Sequence, residues 1–379
     1  MNLREFFSDP AIQLPLRGDT DDFQGFIEGM LDTYLAKLAT LKEPADIVTE
    51  VNAQRPQITA FCTAGKDAVR AMLSGHPAHA YSLFVAGLSQ LLPYLDRQAL
   101  KDLKAQDLWM MYRVRQDSAA SLTREALFHI PFELRHRVRT QRYSIPGLPC
   151  LYLAGSLYAC WAEMGRPPFH ELHAAAFWVQ PGAKISLLNF SDRPARLLLY
   201  ITPEGEIKGP PDARRLITTH LIIWPLIALS SIIVKHRDAA YKPEYIIPQL
   251  LLQWITKEDR FDGICYFSTH VEAVTYPPEP PCNFVFPAQK IKPKGRCARL
   301  RSLFKMTTPH SWQLLRAVQA GEGHTGSVIP FFDFEFIDGR KEPYYKTEFG
   351  DVESKLNKLA FDIYHRNRSG EPELGDVAE

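Results

Sequence analysis

Nineteen consecutive residues, Leu216 to Val234, contain no Lys, Arg, Asp or Glu. This run, LITTHLIIWPLIALSSIIV, is close to membrane-spanning length, and its apolar surface must be withdrawn from water. Thr218, Thr219, His220, a central Pro225 and the pair Ser230-Ser231 argue against lipid, where each polar group needs an internal partner. A strand or helix buried in a soluble core has the same composition, and that is the expectation here, with no membrane partner.

The rest of the chain is consistent with a core large enough to take it. Hydrophobic residues make up 46% of the 379, material for one large core or two modest ones. The 44 Lys+Arg are balanced by 43 Asp+Glu, whereas a whole-surface binder of nucleic acid or anionic membrane would be lopsided. The 29 prolines are spread along the chain as loop markers, so disorder, collagen-like repeats and coiled coil are excluded. Six scattered cysteines form no C-x-x-C pair, so neither a disulfide framework nor a zinc site of neighbouring thiolates is expected. The opening MNLREFFSDPAIQLPLRGD lacks the basic head and apolar run of a secretory signal, and a reducing cytoplasm is the expected compartment.

From about Asp21 to Gln106 the pattern is helical. Phe23, Phe26, Ile27, Met30, Leu31 and Tyr34 recur at helical spacing, as do Phe84, Val85, Leu88, Leu91 and Leu92, with Gly75-His76-Pro77 as a break. The pattern changes at Asp107. LWMMYRV, PCLYLA, AAAFWV and KISLLN are short apolar or alternating runs bounded by turn residues, and read as strands. A brief helix is predicted between the second and third, capped by Ser156, running over Leu157 to Met164 and stopped by Gly165 before Pro167-Pro168. A longer helix after Pro243 is predicted to pass Trp254, with strands at Ile264 to Phe267 and Asn283 to Phe286. VIPFFDFEFIDGRKEPYYK reads as a hairpin about Asp338-Gly339, followed by a helix from about Asp351 to Tyr364. This order suggests an α+β fold with a mixed sheet, behind a helical N-terminal domain. The expected boundaries are 1–107 for the helices, 108–306 for the mixed domain and 307–379 for C-terminal strands and helix packed on it.

Candidate chemistry concentrates between Tyr112 and Gly165. Arg113 lies inside a hydrophobic strand, where an unpaired guanidinium is costly; it needs a structural carboxylate or an anionic ligand. Arg142 precedes a proline-glycine turn in QRYSIPG, where a side chain can enter a cleft. Glu163 sits on the short helix one turn after Ala159 and Cys160, small residues that leave room beside the carboxylate. The structural alternatives are that Arg113 and Glu163 pair with each other, that Arg142 is a surface residue and that Tyr152 belongs to the core. His170-Glu171-Leu172-His173 lacks the spacing of a zinc motif, and no metal is expected. The basic stretch 287–306, with Lys290, Lys292, Lys294, Arg296, Arg299, Arg301 and Lys305, reads as a solvated connection rather than a nucleic-acid contact.

YRVR, ALFHIPFELR, TQRYSIPGLPCLYLAGSLYACWAE and, much later, DGICYFSTH with NFVF, taken in order, resemble the RES domain, named for an arginine, a glutamate and a serine. The resemblance covers roughly Leu108 to Phe286. It implies a fold related to the diphtheria-toxin-like ADP-ribosyltransferases, with NAD+ as substrate, in a family that includes toxins of toxin–antitoxin pairs. By that resemblance the family arginine falls on Arg113, with Arg115 as the alternative, the glutamate on Glu163 and the serine on Ser268. A second arginine and a tyrosine fall on Arg142 and Tyr152. Glu163, Arg113 and Ser268 are the implied catalytic residues; Arg113, Arg142, Tyr152, Ser268 and Arg115 are the implied NAD+ contacts. The N-terminal helices, a long insertion between Glu163 and Ser268 and the elements after Phe286 depart from the compact toxins. The expected activity is cleavage of the nicotinamide–ribose bond, by hydrolysis or phosphorolysis. An ADP-ribosyltransferase acting on protein or nucleic acid and a non-catalytic binding module are the alternatives. The N-terminal helices are expected to lie outside the NAD+ site and to dock an antitoxin or a target protein.

Overall fold

A computed structural model describes residues 1–18, 20–100, 110–270, 282–317, 333–337 and 340–369. In chain order the helices are α1 (Leu3–Ser8), α2 (Phe23–Thr40), α3 (Ala45–Ala53), α4 (Arg55–Leu73), α5 (Pro77–Ser89), α6 (Leu92–Gln98), α7 (Arg124–Leu127), α8 (Leu157–Glu163), α9 (Pro194–Leu197), α10 (Ala213–Ser230), α11 (Ile246–Ile255), α12 (Ala298–Leu303), α13 (Trp312–Ala317) and α14 (Glu348–Ser369). The strands are β1 (Met111–Gln116), β2 (Cys150–Ala154), β3 (Leu172–Val179), β4 (Leu187–Phe190), β5 (Gly263–Phe267), β6 (Cys282–Pro287), β7 (Phe304–Met306), β8 (His310–Ser311), β9 (Asp333–Ile337) and β10 (Arg340–Pro343). The fold is α+β, with helix and strand where hydrophobic periodicity put them. The hairpin turn expected at Asp338-Gly339 lies outside the described residues, while β9 and β10 pair antiparallel on either side of it.

The chain forms two compact units that interleave in sequence. One comprises Met1–Leu100, Arg139–Pro146 and Ser186–Thr269; the other comprises Lys101–Val138, Gly147–Ile185 and His270–Glu379. The linear boundaries expected at 107 and 306 are therefore not the boundaries of the compact units.

In the first, helix-rich unit the uncharged run is α10, buried from Ile217 through Ser230. Among the described residues no helix is long and apolar enough to cross a membrane. The apolar stripes of α2, α3, α4 and α6 find their partner in α10, and α11 packs on α4 and α5. Pro225 explains one detail of this packing. A proline inside a helix has no N–H to give the carbonyl four residues earlier, here Leu221. The Tyr34 hydroxyl of α2 donates to that carbonyl instead. The Tyr34 ring stacks on Trp224 with centroids 4.3 Å apart, and the Trp224 indole donates to Ile12 O at 2.9 Å. The N-terminal helices are thus part of this unit's core. The parallel pair β4 and β5 belongs to the same unit.

The second unit is built on an antiparallel sheet with strand order β6-β2-β1-β3-β7, and β8 also pairs with β3. Tyr112 and Val114 of β1 join Ala174 and Ala176 of β3 in one buried cluster with α8, α13 and α14. Trp161, Phe169, Trp312 and Phe349 pack ring against ring there, with centroids 5.1 to 5.6 Å apart. The cluster encloses one carboxylate. Glu353 of α14 is 1% exposed and accepts hydrogen bonds from Leu157 N and the Tyr344 hydroxyl, both at 2.5 Å. Burial pushes its pKa up to about 8. It serves the first free N–H of α8, beside the Ser156 cap that accepts from Ala159 N at 3.1 Å.

Candidate functional site

The second unit holds Arg113, Arg115, Tyr152 and Glu163; the first holds Arg142 and Ser268. Each group is described within its own unit.

Pairing in the second unit's sheet is uneven. β1 pairs with β3 over six residues and β2 pairs with β6 over five, yet β1 and β2 share a single registered pair, Tyr112 with Ala154. The arginine lies at this weak join. Alternation turns Arg113 and Arg115 to the side of β1 away from Tyr112 and Val114. Arg113 stands opposite Ala175, whose methyl leaves it space, and its Nη1 donates to Tyr152 O across the join at 3.4 Å. No carboxylate pairs with it among the described residues. Burial pushes its pKa down to about 10, so it remains a cation at neutral pH. The alternative that Arg113 and Glu163 neutralise each other is excluded among the described residues.

Arg115 is committed elsewhere. It donates to Ala126 O at 2.6 Å and pairs with Asp117 at 3.2 Å, with 45% of its side chain exposed. The geometry thus distinguishes the two arginines of YRVR: Arg115 is paired with an acid, while Arg113 is half-buried without one among the described residues.

Glu163 ends α8. Asn283, the first inward residue of β6 after Cys282, stands in register with Ala154, and its Nδ2 donates to Glu163 Oε1 at 2.7 Å. His270 Nε2 lies 3.6 Å from Glu163 Oε2. Asn283, Ala154, Tyr112 and Ala176 form one row across the sheet, and Arg113 is one residue along from it. The Cys160 thiol, pushed up chiefly by burial, donates to Tyr112 O at 3.3 Å. Ala159 and Cys160 are themselves buried in the cluster with Tyr112 and Leu172. Their small size serves close packing of α8 on the sheet, which corrects the expectation that it leaves room for a ligand. Tyr152 is half-buried on β2, and its side chain hydrogen-bonds the Cys150 thiol.

In the first unit Ser268 and Thr269 follow the last residue of β5. Ser268 is fully buried. Arg142 is 7% exposed, so it is not a surface residue; it donates to Ser230 O at 3.3 Å and Thr269 Oγ1 at 3.1 Å, with its guanidinium over the Tyr245 ring at 5.3 Å. It lines a small cavity of about 10 Å³ with Tyr143, Phe190, Tyr266, Phe267 and Thr269.

Three residues of these clusters escaped the sequence reading: Asn283, His270 and Arg193, whose Nη2 donates to Ser268 O at 3.2 Å. Asn283 and His270 stand inside the quoted NFVF and FSTH motifs, so their position was visible and only their contact with Glu163 was not. Arg193, in the insertion, carried no signal beyond its charge. The basic stretch resolves in part: Arg296 and Arg301 both pair with Glu125, at 2.8 and 2.6 Å, and Arg296 also donates to His129 O.

No known protein family's sequence profile matches the chain, and no solved structure matches it. It is similar to a protein of Bacillus subtilis (strain 168) named "Putative toxin YopC", 29% identical over 351 residues, which span 89% of this chain and 76% of the relative.

Proposed function

We propose that the chain is a cytoplasmic RES-type enzyme that consumes NAD+, breaking the bond between nicotinamide and its ribose, and that it is toxic when unrestrained. The observation that carries this reading is Arg113: a half-buried guanidinium without an acidic partner among the described residues, at a weakly paired join of its sheet, with Glu163 at the end of the adjoining row. Burying a cation without a counter-charge costs several kcal/mol, and an anionic ligand at that join offsets the cost. The similarity to a relative named as a toxin supports the biological half of the reading.

The chemistry follows from charge. Breaking the glycosidic bond to nicotinamide develops positive charge on the ribose, as in glycoside cleavage. Nicotinamide departs as a neutral molecule, so no general acid is required. One carboxylate, Glu163, suffices to stabilise the sugar cation, and Asn283 fixes its orientation. Arg113 neutralises the pyrophosphate, and Tyr152 offers a ring or hydroxyl to the nicotinamide riboside. Incubation of the pure chain with NAD+ tests this directly. Free nicotinamide is expected, and parallel reactions with inorganic phosphate, protein or nucleic acid identify the acceptor. No nicotinamide under any of these conditions overturns the enzymatic reading and leaves a binding module.

A further inference from the structure

In the first unit four exposed arginines pair with acids: Arg70 with Glu28, Arg97 with Glu50, Arg214 with Asp46 and Arg260 with Asp96. Such pairs contribute little, because water screens them. Its two most buried arginines, Arg193 and Arg142, have none among the described residues, where the need is greatest. Arg193 is 6% exposed; its Nη2 donates to Ser268 O at 3.2 Å, its guanidinium lies 4.8 Å over the Phe267 ring, and its Nε–H is buried without an acceptor. Asp192, its neighbour in sequence, is engaged by Arg196 at 2.8 Å and by Gln98 at 3.2 Å instead. A guanidinium has five N–H donors; Arg193 spends one on the protein and Arg142 two.

We infer that Arg193, with Arg142, forms a phosphoryl-anion subsite at the end of β5, where they hold the consecutive residues Ser268 and Thr269. Two planar forks with unspent donors match the several oxygens of a phosphate or diphosphate, and the aromatic faces of Phe267 and Tyr245 lie against the two cations. Burial pushes Arg193 down to about 10, so it stays charged at neutral pH. The ligand chemistry is shared by the diphosphate of a dinucleotide and by free phosphate. Naming the dinucleotide rests on the NAD+ reading above, whereas the anion subsite itself is measurable without turnover.

The test is calorimetric titration of the full chain, in chloride buffer, with ADP-ribose, pyrophosphate and inorganic phosphate, for wild type and Arg193→Met. Saturable binding of at least one is expected, weakened tenfold or more in the variant. Tighter binding of ADP-ribose and pyrophosphate identifies a diphosphate as the occupant, and tighter binding of phosphate identifies the free ion. Arg193→Lys keeps the charge but loses the fork, and serves if the Met variant does not fold; it is expected to bind at least threefold more weakly than wild type. Absence of binding by wild type, or unchanged binding by a folded Arg193 variant, overturns the subsite. Phosphoryl binding without any nicotinamide release would remove the enzymatic reading and leave the subsite standing. Nicotinamide release with unchanged binding in the variants would remove the subsite alone.

Discussion

Tyr34→Phe tests whether the N-terminal helices belong to the core of the unit that carries Arg142 and Ser268. The substitution removes one oxygen and leaves the ring stacked on Trp224. What it strips is the donor that serves Leu221 O, the carbonyl that Pro225 leaves without a helical partner. A buried carbonyl without a donor costs about 1–3 kcal/mol. In a unit of this size each kcal/mol lowers the melting temperature by about 2–4 °C, so a drop of roughly 2–12 °C is expected. A double-mutant cycle isolates the cause. Pro225→Ala restores an N–H for Leu221 O, so in that background Tyr34→Phe is expected to cost at least about 1 kcal/mol less. Differential scanning calorimetry of the four proteins reads the coupling. Equal costs of Tyr34→Phe in both backgrounds would refute the argument that the proline creates the need for the tyrosine.

Deleting residues 1–105 bares α10 and is expected to yield an aggregated chain without a cooperative transition; a monomeric truncated chain with native nicotinamide release would contradict the packing described. His220 of α10 is fully buried with both ring nitrogens unpartnered, and burial lowers its pKa to about 3. Because the folded value lies below the unfolded one, stability present above about pH 6.5 is lost on acidification. His220→Leu is expected to raise the urea midpoint at pH 5 more than at pH 7, and an equal gain at both would refute this. Glu353 has the opposite sign. Its folded pKa of about 8 exceeds the ordinary 4.5, so the folded state retains a proton between those values and stability falls as pH rises through that window. Relative to wild type, Glu353→Gln is expected to gain about 1.4 kcal/mol per pH unit over that range, read from exchange protection of the α8 amides; parallel pH profiles would refute it.

Much of this was legible in the sequence, because hydrophobic period and breakers act locally. Ser156 and Gly165 bracket α8 as expected, and Gly75, at φ +81°, ends α4 where the glycine–proline break stood. The uncharged run was rightly taken as core, although its partners, Tyr34 and Ile12, lie more than a hundred residues away and no local pattern names them. Interleaving was invisible for the same reason: segment 139–146 joins the helical unit through Arg142, Tyr143 and Ser144, whose contacts with Ser230, Tyr266 and Gln249 are all long-range. At the candidate site residue type was readable and partnership was not. YRVR offers two arginines alike in sequence, and only the structure separates the one tied to Asp117 from the one left without an acid. Ala159 and Cys160 misled because small residues serve close packing and ligand space equally well.

The central claim, that Glu163 stabilises a developing ribose cation, is tested most directly by nicotinamide release from NAD+ in Glu163→Gln. The amide keeps the shape and can still meet Asn283, but it carries no charge to set against the cation. The account predicts retained NAD+ binding and a melting temperature within a few degrees of wild type, with turnover reduced about a hundredfold or more. A folded Gln variant that releases nicotinamide at the wild-type rate would contradict it.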